Sequence, residues 1–139
     1  MQIYLLRITY LKQRENGSIY KASGHYAVEA VSFTDAEATL LMHLEESIPE
    51  YNLKAVALSN ITDVSHDEDA DYFFKVKIAY SSFDEDSGRK KEITQYFLVQ
   101  ANSVKEAGQI IEDKMKDSVV AVEVQTVTKT KVEEVVSAK

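Results

Sequence analysis

The sequence predicts an α+β protein: two tandem ββαβ repeats with mainly antiparallel sheet and two helices, forming an intramolecular pseudo-dimer. Three observations predict it. The chain aligns with itself at an offset of 71 residues, from Gly17/Gly88 to Val64/Val135, without a gap. In each half, two stretches of alternating apolar residues give way to apolar residues at helical spacing. A three-stranded sheet with one helix also buries only one face and leaves an edge open, so two copies can cover each other. The predicted boundaries are 1–64 for the first repeat, 65–71 for an acidic linker, 72–136 for the second repeat and 137–139 for a tail.

Identities across the offset are few, such as Val28/Val99, Ala36/Ala107 and Val56/Val127. Side-chain character matches more often, as in Tyr26/Phe97, Asp35/Glu106, Leu40/Ile111 and Asp63/Glu134. Upstream of Gly17 the offset is 70, so one residue was gained in the loop before Gly88. Insertions are tolerated at such a tip.

Each element has its own signal. The first strands alternate as Tyr4, Leu6, Ile8, Tyr10 and as Phe74, Val76, Ile78, Tyr80. "ENGS" and "DSGR" supply turns, because Asn-Gly and Ser-Gly tolerate the positive φ of tight hairpins. The second strands present Tyr26, Val28, Ala30 and Phe97, Val99, Ala101. Ser32 with Asp35, and Ser103 with Glu106, read as helix N-caps with an acid three residues on; Thr34 with Glu37 is a rival for the first helix. Phe33, Ala36, Leu40, Leu44 and Val104, Ala107, Ile111, Met115 then form one stripe on each helix. The last strands are "YNLKAVAL" and "VVAVEVQTV". Alternation slips near Ala55 and Val56, which predicts a bulge.

Composition narrows the function. The chain has 139 residues, is 45% hydrophobic and 28% charged, and has no cysteine. It therefore has no disulfide framework, thiolate metal site or cysteine nucleophile. The start "MQIYLLRITY" lacks the basic n-region of a signal peptide, and Arg7 interrupts its apolar run. No stretch has the length of a membrane span, and the expected setting is cytoplasmic. The net charge is −7. Residues 65–71 hold four acids and no base. This acidity disfavours nucleic acid as a partner, since phosphate contact rests on clustered Lys and Arg.

Signatures of chemistry are absent. His25, His43 and His66 are the only histidines, and none has a partner at metal-ligand spacing. Asp84-x-Asp86-x-Gly88 begins like a calcium loop, but the twelfth position is Gln95 instead of the required Glu. No GxSxG, GxxxxGK[ST] or GxGxxG occurs. The expectation is a protein that is not an enzyme and needs no cofactor or metal.

The segments "AVSFTDAEA", "DEDADYFFKVKIAY" and "YFLVQANSVKEA" resemble a family of small, uncharacterised phage-related proteins encoded by gut bacteria and their phages. The resemblance covers nearly the whole chain. It implies a bacterial or phage origin and a cytoplasmic setting, in the host or the infected cell. It supplies no catalytic residue, because the family is a domain of unknown function.

One surface departs from an ordinary solvated face. The strand positions pointing away from the helix include Arg7, His25, Lys75, Lys77, Lys90 and Tyr96, among apolar neighbours such as Leu5, Ala27 and Leu98. A fully solvated face would be more uniformly polar. In one reading the apolar members pack against the other half and the basic ones ring that contact. In the other, these six residues hold a small anionic ligand, or an acidic protein surface, between the halves. The expected function is therefore a non-enzymatic binding or interaction protein. One alternative is sequestration of a nucleotide or other anionic signalling ligand in counter-defence. Another is an accessory role in phage DNA replication or recombination. Self-association into a homo-oligomer is compatible with all three.

Overall fold

The computed structural model describes residues 1–138. In chain order the elements are β1 (Gln2–Gln13), β2 (Ile19–Ala30), α1 (Phe33–Leu44), β3 (Asn52–Leu58), β4 (Ile61–Ser65), β5 (Tyr72–Phe83), β6 (Lys90–Ala101), α2 (Val104–Met115), β7 (Val122–Lys129) and β8 (Glu134–Ser137). They form two four-stranded mixed sheets, mostly antiparallel, in the orders β3-β1-β2-β8 and β4-β6-β5-β7. The fold is α+β with two similar sheet units.

Each repeat thus has the ββαβ order and one further strand, and that strand joins the sheet of the other repeat. β4 follows the first repeat but runs parallel to β6. β8 follows the second repeat but runs parallel to β2. The two registers are equivalent under the 71-residue offset: Asp63 lies opposite Phe97, and Glu134 opposite Tyr26. Compact units therefore comprise Met1–Ser59 with the segment from Lys131 onward, and Asn60–Thr130. This differs from the expected boundaries at 64 and 72.

The expected linker also changes character. Residues 66–71 lie within the second unit and are tied to β6. Gln100 accepts from the Asp67 N–H and donates to the Ala70 carbonyl, at 3.1 Å each. Asn102 accepts from the Asp71 N–H at 2.9 Å. Ala70 is buried. Paired backbone groups, rather than free solvation, hold this acidic stretch.

Connector length explains the exchange of β4. From Leu58 to Ile61 are three Cα steps, a reach of at most about 11 Å. The position beside β2 lies three strand spacings from β3, about 14 Å away. β4 cannot return to the sheet that β3 has just completed.

Local chemistry agrees with the sequence reading in detail. Gly17 and Gly88 adopt positive φ, 88° and 69°, at the two hairpin tips. Ser32 and Ser103 cap the helices by accepting from the Asp35 and Glu106 N–H groups, each at 3.1 Å; Ser32 rather than Thr34 is the cap. The two acids reach back to the N–H groups of Val31 and Asn102, so orphan donors at each helix start are satisfied on both sides. The expected bulge is present, with Lys54 skipped between Leu53 and Ala55 opposite β1, and Gln125 skipped at the equivalent place opposite β5.

The helix-facing cores are matched. Ile8/Ile78, Val28/Val99, Ala36/Ala107 and Leu40/Ile111 are buried in both units. Val136 of β8 joins the first core. The opposite sheet faces are buried in part, at Ile3, Thr9, Ala27 and at Phe73, Ala79, Leu98.

Candidate functional site

The six sheet-face candidates fall into two units. Arg7 and His25 are cross-strand partners in the first. Lys77 and Tyr96 are the equivalent partners in the second. Lys75 joins the latter pair, with its ammonium 4.7 Å from the centre of the Tyr96 ring, a favourable cation–π position. These three side chains are half-buried. Lys90 stands apart. It lies opposite Phe83 at the hairpin end, six residues and about 20 Å from Tyr96 along the strand.

The His25 backbone and the His43 side chain take structural partners. The His25 N–H donates to the Glu133 carboxylate at 3.2 Å, and the Glu133 N–H donates to the His25 carbonyl at 2.9 Å. His43 of α1 meets Glu134 of β8 at 2.7 Å. These contacts attach β8 to the sheet and helix of the first unit. The calcium-like loop is likewise occupied by its own turn. Asp84 accepts from the Asp86 N–H and the Ser87 hydroxyl, both at 3.0 Å. Those bonds, the Asp86 N–H first, hold its carboxyl below the usual carboxylate range. Among the described residues, no group of three or more His, Cys, Asp or Glu side chains is placed to hold a metal ion. No described helix is long and apolar enough to cross a membrane.

Tyr26 lies on β2 opposite Glu134 of β8, and its environment gives a pH prediction. Burial first, then the charges of Glu133, Tyr10 and Glu134, push its phenol from 10.0 up to about 12. The folded state therefore keeps a proton that the unfolded state loses above pH 10. Stability from this group is full below pH 10 and falls as pH rises toward 12. The expected loss is on the order of 2 kcal/mol. Urea unfolding at pH 9 and pH 11.5 measures it, and Tyr26→Phe should remove most of the difference between the two.

A second surface was not legible from strand alternation. The outer side of α1 is apolar, with Leu41 57% and Met42 75% exposed. Under the 71-residue offset, α2 carries Glu112 and Asp113 at these positions. Ala38 corresponds to Gln109, and Thr34 to Lys105. The two helices cap alike and bury matched residues, Ala36/Ala107 and Leu40/Ile111, so the fold does not require the apolar version. A position-by-position comparison of the two helices would have exposed this difference.

The same side of α1 borders a groove of about 620 Å³, lined by Ala38, Leu41, Pro49, Tyr51, Leu53 and others. β3 forms its far wall and is an edge strand of its sheet. In the second unit the corresponding hollow is about 310 Å³ and is lined by Glu112 and Lys116 among others. The two helices also differ at the position that faces the edge strand in the second unit. α2 has Gly108, and a Cβ there would lie 3.6 Å from Val127 Cγ2. α1 has Glu37 in its place, and its side chain is exposed. Glu37 and Glu50 both line the groove. Burial, with Glu37 as the second cause, raises the Tyr51 phenol above its ordinary value.

No curated protein and no solved structure matches the chain. A family profile does, over residues 2–138, and its description is domain of unknown function (DUF4494). The repeat pair with exchanged strands is thus the architecture of nearly the whole matched region, and the chain belongs to the DUF4494 family.

Proposed function

We propose that the protein is a non-enzymatic binding protein of phage-related origin, acting in the cytoplasm of a gut bacterium or its infected cell by docking a protein partner. The observation that carries this reading is the difference between two otherwise equivalent helices. Leu41 and Met42 are exposed where α2 has Glu112 and Asp113. Exposed apolar surface that the fold does not need supports an interaction role.

The test transplants one repeat into the other. Leu41→Glu with Met42→Asp should leave stability within about 0.5 kcal/mol, as for surface sites. A specific partner recovered from native cells with the wild-type chain should be lost with the double variant. Recovery of the same proteins by both forms would overturn the reading. A second reading, capture of an anionic ligand, is supported by the Lys75 ammonium held over Tyr96 with Lys77 beside it. Small molecules retained by the native protein, identified by mass spectrometry and lost in Lys75→Glu/Lys77→Glu, would favour it instead. Accessory roles in phage replication or counter-defence are settings for either mode.

A further inference from the structure

We infer that the groove between α1 and β3 receives an extended, basic segment of a partner protein, which adds as a new strand to the free edge of β3. This rests on the binding reading above and specifies the partner's chemistry. Three features combine. β3 ends its sheet and carries one charge, Lys54, among seven residues. Protein edges are ordinarily blunted with charges or covered, and on β3 the devices are Lys54 and the bulge at that residue.

Beside that edge lies an apolar trough rather than a packed helix. A strand laid along β3 presents every second side chain to one face. Those side chains would enter the space between Ala38, Leu41 and Leu53. Backbone pairing with the edge supplies affinity and the trough supplies selection, the division of labour in strand addition.

Charge then selects the partner's sign. Glu37 and Glu50 line the trough. Glu45 and Glu46 follow the C-terminus of α1, where the helix dipole is also negative. No Lys or Arg lines this groove. The complementary segment alternates apolar residues with Lys or Arg.

The probe is a displayed library of random twelve-residue peptides, selected against the full-length protein. Enriched peptides should alternate apolar residues with at least two Lys or Arg. Binding of a synthetic representative should slow hydrogen exchange in β3. Glu37→Lys/Glu50→Lys should weaken it at least tenfold, with milder weakening by Glu37→Gln/Glu50→Gln should the reversal fail to fold. Added salt should act in the same direction. Acidic peptides, peptides with helical spacing and no β3 protection, or an affinity unmoved by these variants would overturn the inference. So would no enrichment at all. Loss of binding in Leu41→Glu/Met42→Asp without any β3 protection would overturn strand addition alone and leave the interaction reading standing. Self-association of the chain, abolished by that same double variant, would make the occupant a second copy and also overturn it.

Discussion

Residues 1–66 expressed alone are expected to form a strand-exchanged dimer with no stable folded monomer. The fragment contains β1, β2, α1, β3 and β4. Its sheet lacks β8, so the outer edge of β2 stands open beside Tyr26 and Val28. Its own β4 cannot fill that edge, because the Ser59–Asn60 connector is too short to cross the sheet. The β4 of a second copy can. Asp63 would then take the place of Glu134 opposite Tyr26, the register that Asp63 already holds opposite Phe97. Sedimentation should give twice the fragment mass, and the melting temperature should rise with concentration. A monomeric fragment with a cooperative melt at all concentrations would show that β4 is dispensable and that connector length does not force the exchange.

Ending the chain after Thr130 is expected to damage the first unit and spare the second. The deletion removes β8 and with it Val136, which is 3% exposed in the first core. Burial of one valine is worth roughly 1.5–3 kcal/mol. The parallel ladder on β2 and the His43–Glu134 contact are lost as well. The total is a large fraction of an ordinary domain's stability. Hydrogen exchange should accelerate in β1, β2 and α1 while protection in β5 and β6 persists. Equal acceleration in both would mean that the two units melt as one. No change in either would mean that β8 contributes little.

The mixed sheet face and the α1 groove differ in how far pattern can reach. Arg7, Lys75 and Lys77 are placed on one strand face by alternation alone, and the pairing of Lys77 with Tyr96 follows from the hairpin register. Whether such a face is bare depends on tertiary burial, and Ala27 and Leu98 at its centre are fully buried. The groove depends on the gap between a helix and an edge strand. That gap is a matter of tertiary packing, about 620 Å³ beside α1 and about 310 Å³ beside α2.

Local rules determined much of this protein from sequence. The two positive-φ glycines, the serine caps, the alternating core positions and the bulge each follow from residues within a few positions of one another, and the duplication from the recurrence of those local patterns 71 residues on. Turn, cap and alternation energies are short-ranged, so they are written where they act. The exchanged strands are different. β4 and β8 have five and four residues, too few to show a clear period. Their partners, β6 and β2, lie about 34 and 108 residues away in sequence. Their placement was decided by tertiary geometry: for β4 a connector too short to cross a sheet, and for both strands an open edge of matching register in the other repeat.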